Sequence, residues 1–179
     1  KSAQIGFARS LWLAAGLLPV RTVNAAWTAS GPGGGGALFS PSFHPSNPGE
    51  LFLTCDMGGV YRSTNTGGTW TVAPASQIIS STRGKVQFTS TPGTLYSVGR
   101  VAGTGSFFPV KSVDSGTTWS LLPSYPAGGG FTHTIWADPG STQRLIIAEY
   151  DRIYSSFDGG TSWNNIHQPG GNVRIGGVF

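Results

Sequence analysis

From residue 27 onward, the chain is a succession of short apolar runs separated by clusters of Gly, Pro, Asn and Ser. The runs LFLTC (51–55) and LYSVG (95–99) are typical, and THTIWADP (132–139) contains a similar short run that ends at a proline. Such runs are strand-like, and the clusters between them are rich in turn-forming residues. Nothing after residue 26 shows helical periodicity. The pattern therefore predicts an all-β protein.

Three segments end alike: YRSTNTGGTW (61–70), VKSVDSGTTW (110–119) and YSSFDGGTSW (154–163). Their closing tryptophans are 49 and 44 residues apart, and each segment is preceded by a strand-like run that follows a proline. The repeating unit therefore has three strands joined by two turns, of which the second is the recurring one that ends in Trp. One further strand joins each unit to the next. Four short strands recurring at this spacing are typical of a β-propeller blade. We expect about three four-stranded blades of an incomplete propeller.

The recurring turn, which we call the box, has the form Ser-x-Asp-x-Gly-x-Thr-Trp. The second copy matches fully, whereas the first has Asn65 in place of Asp and the third has Ser162 in place of Thr. An Asp or Asn in a turn accepts backbone N–H groups, Gly permits positive φ, and Trp buries a large ring. We therefore expect a structural role for Ser63, Asn65, Gly67, Trp70, Ser112, Asp114, Gly116, Trp119, Ser156, Asp158, Gly160 and Trp163.

The first 25 residues have the order of a cleaved secretory signal. Lys1 and Arg9 form a positive region, residues 11–18 are apolar, and VNA (23–25) supplies the small residues that a signal peptidase needs. The apolar run is too short to span a bilayer. The alternative is an N-terminal hydrophobic helix or membrane anchor. We expect a secreted or periplasmic protein with no membrane span.

Composition excludes a nucleic-acid role. The formal charge is +4, but Lys1, Arg9 and Arg21 fall in the leader, which leaves eight basic against seven acidic residues and no basic run. Without a basic patch there is no electrostatic basis for binding phosphates. Cys55 is the lone cysteine and the three histidines are scattered. We therefore expect no disulfide, no metal site and no cofactor.

The chain after the leader suffices for three blades. NVRIGGVF (172–179) reads as the first strand of a fourth, with no box after it. Propellers typically close their ring with four to eight blades. We expect residues 27–179 to be the N-terminal blades of a longer chain, truncated in the fourth blade, whose partners are further blades or a second propeller. The alternative is self-association of three-blade pieces.

Asp56 is the candidate catalytic residue. It lies in the hairpin between the two strands before the first box, where the third blade has Glu149 and Asp151 but the second has no acid. Propellers place binding sites at blade ends, and the second blade shows that the turn does not require an acid. The alternative is a local role, in which Asp56 caps the turn or pairs with Arg62.

The boxes resemble the Asp-box repeats of sialidases, sortilin-type receptors and xyloglucan-hydrolysing endoglucanases. Residues 31–70 resemble the start of the last group, glycoside hydrolase family 74, through a Gly-rich stretch, His44-Pro45 and the core Asp-x-Gly-Gly-x-Tyr-Arg at 56–62. Cys55 intervenes between Thr54 and Asp56, unlike the family pattern. The resemblance implies that Asp56 is the base of an inverting mechanism, whose acid comes from a second propeller. Glu149 is the fallback acid.

The same resemblance implies a polysaccharide substrate of the β-glucan type. Residues expected to contact it are Gly58, Gly59, Tyr61, Arg62 and Trp136, with Arg62 positioning or pairing with nearby acids. The glycine pair would let a polymer approach the backbone. Two alternatives stay open: a non-catalytic propeller that binds protein or glycan, and a sialidase-like exo-glycosidase. The latter fits less well because the chain has no Arg-Ile-Pro motif.

Overall fold

The computed structural model describes residues 36–79, 82–100, 106–122, 125 and 132–168. Twelve strands account for the regular structure of these ranges, and they contain no helix. The predicted leader (1–25) and the predicted fourth-blade strand (172–179) lie outside the described residues. The strands are β1 Leu38–Phe43, β2 Leu51–Cys55, β3 Val60–Ser63, β4 Thr71–Val72, β5 Gln87–Phe88, β6 Leu95–Gly99, β7 Phe108–Ser112, β8 Ser120–Leu121, β9 Thr134–Ala137, β10 Leu145–Ala148, β11 Ile153–Ser156 and β12 Asn164–His167.

The strands form three separate four-stranded antiparallel sheets, each ordered as in the sequence: β1-β2-β3-β4, β5-β6-β7-β8 and β9-β10-β11-β12. Each sheet is a meander in which consecutive strands pair. The predicted all-β blade architecture is confirmed, and three blades of an incomplete propeller describe the structure. We number the blades one to three in chain order.

Two apolar clusters hold neighbouring blades together. One joins blades one and two through residues that include Phe52, Val86 and Val110. The other joins blades two and three through residues that include Tyr96 and Ile147. The second strand of each blade is largely buried: all five residues of β6 and three residues each of β2 and β10 are buried. This burial explains why LFLTC and LYSVG are almost continuous apolar runs.

The three boxes fold into the same hydrogen-bonded turn. In each, the serine hydroxyl accepts the glycine N–H four residues on at 2.8–2.9 Å and donates to the Asn or Asp side chain at 2.8–3.0 Å. The Oδ1 atom of that Asn or Asp accepts a backbone N–H four residues further along, at 2.8 Å in every copy. The glycines take φ of 83°, 83° and 88°, a left-handed conformation that favours glycine.

In the first two boxes, the indole N–H group of the tryptophan adds a further hydrogen bond to the turn. Trp70 Nε1 and Trp119 Nε1 donate to the carbonyls of Gly67 and Gly116, each at 3.0 Å. Trp119 is buried, whereas Trp70 and Trp163 are half-buried. The box pattern predicts that every box tryptophan is buried between strands, and the structure buries one of the three fully.

The box of one blade rests on the blade before it. A Cβ at Gly116 would lie 2.7 Å from the Phe52 ring, and a Cβ at Gly160 would lie 2.9 Å from Leu122. Gly67 of blade one meets only its own Trp70, at 3.5 Å. Glycine at this position thus serves both the turn and the approach of neighbouring blades.

Antiparallel pairing gives each blade two distinct ends. The β2–β3, β6–β7 and β10–β11 hairpins lie at one end, which we call the hairpin end, and the boxes lie at the opposite end. Across the described residues, no helix is long and apolar enough to cross a membrane. Among the described residues, no group of three or more His, Cys, Asp or Glu is placed to hold a metal ion.

Candidate functional site

Asp56 lies at the hairpin end of blade one, immediately after β2, with its side chain exposed. Its Oδ1 accepts the backbone N–H of Ala37 at 2.9 Å, and its own N–H donates to the Ala37 carbonyl at 3.3 Å. These bonds fasten the hairpin to the residue before β1. The carboxylate is therefore held in one orientation and still reaches solvent.

A groove opens at the same end of blade one; the residues that follow Asp56 line it, and Asp56 itself does not. It has a volume of about 520 Å³ and is lined by Met57, Gly58, Gly59, Tyr61, Val72, Ala73, Pro74, Ala75, Ile79 and Arg100. Three of the predicted contact residues, Gly58, Gly59 and Tyr61, are thus brought together. A Cβ at Gly59 would lie 2.5 Å from Val72 Cγ2, so this part of the groove wall has no room for a side chain.

Arg62 is directed to a different partner. Its Nε and Nη2 atoms donate to Glu50 Oε1 at 3.0 and 2.8 Å, and the guanidinium carbon lies 6.0 Å from the centre of the Phe52 ring. Glu50 is buried. Arg62 therefore pairs with a nearby acid, as one expectation had it, and that acid is Glu50 rather than Asp56. Its side chain faces blade two and does not line the groove at the hairpin end of blade one.

Trp136 is separated from Asp56. It lies on β9 of blade three and lines a cavity of about 340 Å³ with residues of the first strands of blades one and two, among them Phe43 and Phe88. This cavity runs along the first strands of the three blades, away from the hairpin-end groove. The structure therefore does not bring Trp136 to the site formed by Gly58, Gly59 and Tyr61.

Glu149, the fallback acid, is buried at the hairpin end of blade three. Its Oε1 accepts a hydrogen bond from the Tyr125 hydroxyl. Burial and this hydrogen bond raise the pKa of Tyr125, so the phenol stays neutral and acts as a donor. A carboxylate shielded in this way differs from the exposed Asp56, and the described residues show no groove that the two share.

No motif or spacing in the sequence points to Arg100, Glu50 or Tyr125 as residues of interest. Arg100 follows β6 directly, in the longer hairpin of blade two, and reaches the groove because its backbone pairs with Ile79. Its position after the LYSVG run indicates a hairpin residue. Its presence in the same groove as the glycine pair depends on the packing of the linker after β4.

Comparison with known proteins relates the chain to propellers. No family model matches it, and no curated protein matches it. Among solved structures, YCF48 from Cyanidioschyzon merolae superposes with a TM-score of 0.58 and 19% identity over 75% of this chain and 41% of that one. YCF48 bound to D1 peptide gives a TM-score of 0.56 and 20% identity over 73% of this chain and 39% of that one.

A family 74 glycoside hydrolase from Niastella koreensis gives a TM-score of 0.56 and 22% identity, over 75% of this chain and 23% of that one. At such identities the similarity shows a shared fold alone. The chain spans less than half the length of each of these proteins.

Proposed function

We propose that the chain is the N-terminal part of a secreted or periplasmic glycoside hydrolase that acts on a β-glucan-type polysaccharide. The observation that carries this proposal is the exposed Asp56 carboxylate, which immediately precedes a chain segment that lines a groove with Gly58, Gly59 and Tyr61. A polymer lying in this groove would approach the backbone closely at Gly58, whereas the Cβ space of Gly59 is filled by Val72. The motif around Asp56 resembles that of the xyloglucan-hydrolysing endoglucanases, which supports xyloglucan as the first substrate to assay.

In the proposed mechanism, Asp56 is the general base of an inverting hydrolysis. It takes a proton from water while the water oxygen attacks the anomeric carbon, and a second, protonated carboxyl group donates its proton to the leaving glycosidic oxygen. Such pairs lie roughly 6.5–9.5 Å apart. The Ala37 N–H fixes Oδ1 of Asp56, which leaves the other oxygen for water. Buried Glu149 is unsuited to the acid role, so we assign that role to a part of the protein beyond these three blades.

The test is Asp56→Asn in the full-length protein, with hydrolysis of xyloglucan as the readout. The amide keeps the oxygen that accepts the Ala37 N–H, so the fold should persist. Turnover should fall by about 10²- to 10⁴-fold, the usual contribution of a general base. Asp151→Asn is the matched control: Asp151 is an acid of the equivalent hairpin in blade three, 3.8 Å from Arg152, and turnover should be unchanged.

A second candidate function is a non-catalytic scaffold that binds a peptide or glycan. Two observations favour it: Asp56 has a local structural partner in Ala37, and YCF48, a structural neighbour, is known with a bound D1 peptide. A full-length protein that hydrolyses none of a panel of β-glucans would support this candidate. An Asp56→Asn variant that cleaves xyloglucan at the parent rate would remove Asp56 from the mechanism.

A further inference from the structure

Arg100 is the charged residue that lines the groove at the hairpin end of blade one. Its backbone is fixed there by two hydrogen bonds with Ile79, of 2.7 and 2.9 Å, which join the end of β6 to the linker after β4. The other lining residues are glycine, apolar residues and Tyr61. The backbone of a cationic residue is therefore fixed at a groove whose other described lining residues are uncharged.

The acids of the described residues do not neutralise Arg100. Their ion pairs join Arg62 to Glu50, Arg144 to Asp138, and Arg152 to Asp151. Asp114 and Asp158 are bound within the boxes at the other end of the blades. Glu149 accepts from the Tyr125 hydroxyl and Asp56 accepts from the Ala37 N–H, and neither forms an ion pair among the described residues. Within the part of the chain that the structure describes, the guanidinium of Arg100 thus has its charge available to a ligand.

We propose that Arg100 makes the groove selective for a glycan that carries carboxylate groups, that is, one containing a uronate. This inference deepens the proposed function and rests on it for the choice of a glycan as ligand. A guanidinium binds a carboxylate through two parallel hydrogen bonds, a geometry that a neutral sugar does not reproduce. The ring of Tyr61, which is half-exposed in the groove, supplies a surface for a sugar ring.

The size and composition of the groove agree with such a ligand. A volume of about 520 Å³ falls within the roughly 300–1,000 Å³ of small-molecule sites. Mostly apolar walls with one fixed charge are the usual composition of sites that orient a small ligand. Arg100 would fix the position of the uronate along the glycan, and Gly58, which is half-buried in the same wall, presents no side chain to the sugar.

The experiment measures binding rather than turnover. A hexamer of β-linked glucuronate, which has a β-glucan backbone that carries carboxylates, and the same hexamer with its carboxylates methyl-esterified are titrated into the full-length Asp56→Asn protein by calorimetry, so that no cleavage interferes. We expect the acid form to bind about tenfold to a hundredfold more tightly, the magnitude of a charge-assisted hydrogen-bonded pair. Arg100→Gln should abolish this preference, and Arg100→Lys should keep part of it because it keeps the charge.

Arg144→Gln is the matched control, since Arg144 is exposed, pairs with Asp138 at 3.2 Å and does not line the groove. It should leave the preference intact. Equal affinity for the two hexamers, a preference that survives Arg100→Gln, or tighter binding of a hexaglutamate peptide than of the uronate would each overturn the inference. Arg100→Lys also guards against misfolding of the glutamine variant.

These outcomes separate the inference from the proposed function. If the parent protein hydrolyses no glycan but Arg100 still controls uronate binding, the hydrolase proposal fails and the specificity stands. If Asp56-dependent hydrolysis is found while the two hexamers bind alike, the hydrolase proposal stands and the role of Arg100 fails.

Discussion

Asn65, Asp114 and Asp158 occupy the same place in three turns, and each accepts a backbone N–H at 2.8 Å. Asn65 makes this bond without a charge, and its Nδ2 donates to Thr69 Oγ1 at 2.9 Å. In the other two boxes the direction reverses, because a hydroxyl donates to the carboxylate at 2.6 Å. A hydroxyl can accept a hydrogen bond from an amide or donate one to a carboxylate. The box therefore tolerates Asn as well as Asp at this position.

Asp158 should make stability depend on acid pH. Hydrogen bonds from the side chain and backbone of Ser162, and from Ser156, lower the pKa of Asp158 to about 2. Because this value lies below the 3.8 of an unperturbed Asp, the stabilisation is present above about pH 4 and is lost as the pH falls through the folded-state value. Asp158→Asn should show a smaller fall in Tm between pH 4 and pH 2 than the parent, measured by thermal melting. Equal falls in both proteins would contradict this account.

The ion pair between Arg62 and Glu50 depends on strand register and could not be predicted from the local sequence. Arg62 lies opposite Phe52 in the β2–β3 register, which directs its side chain back towards Glu50 at the start of β2. Asp56 lies at the other end of the same strand. The antiparallel register thus keeps the arginine away from the hairpin acid and leaves the Asp56 carboxylate uncompensated by this cation.

At the scale of the strands and turns, the box glycine sets how closely two blades approach. Gly116 and Gly67 share a φ of 83°. They differ in surroundings, because the Cβ position of Gly116 is 2.7 Å from the Phe52 ring of blade one, whereas that of Gly67 is 3.5 Å from its own Trp70. A comparison of substitutions at the two positions therefore distinguishes the cost of backbone strain from the cost of crowding the contact between blades.

Gly116→Ala should destabilise the protein more than Gly67→Ala. Each alanine incurs about 1–2 kcal/mol for the left-handed conformation, and the first also overpacks against Phe52 for about 1–3 kcal/mol more. The free energies of unfolding would be measured by urea denaturation of both variants. Gly67→Ala is the matched control for strain, and equal losses of stability would show that Phe52 moves aside freely.

At the scale of the whole molecule, Tyr96 links two blades. Its ring is buried on β6 of blade two, and its hydroxyl lies 3.1 Å from the Thr142 carbonyl and 3.3 Å from the Gly159 carbonyl, both of blade three. Burial raises the pKa of Tyr96 to about 12. The neutral phenol therefore keeps donating across the blade interface at pH values where an exposed tyrosine ionises.

Tyr96→Phe should weaken the attachment of blade three to blade two. The loss should be about 1 kcal/mol at neutral pH, the net contribution of a hydrogen bond. Because the folded-state pKa of Tyr96, about 12, exceeds the unperturbed 10.0, the parent's bond contributes fully below about pH 10 and is lost as the pH rises through the folded-state value. The difference in stability between parent and Tyr96→Phe, from urea denaturation at pH 7 and pH 11.5, should shrink at the higher pH. A constant difference would place the effect in packing.

The sequence by itself determined the strands, the boxes and their grouping into blades. These features depend on neighbours within a few residues: the apolar runs, the turn-forming clusters and the Ser, Asp or Asn, and Gly of each box, whose hydrogen bonds span no more than four residues. Asp56 was found in the same way, as an acid that the matching hairpin of blade two does without.

Only the tertiary structure decided what surrounds Asp56. Arg100 reaches the groove from blade two, more than forty residues along the chain from Gly58, while Trp136 and Glu149 lie in other surroundings. Such placements depend on how one blade packs on the next and on where the linker after β4 crosses the hairpin end. No periodicity or local motif encodes those distances, because they result from contacts between side chains far apart in sequence.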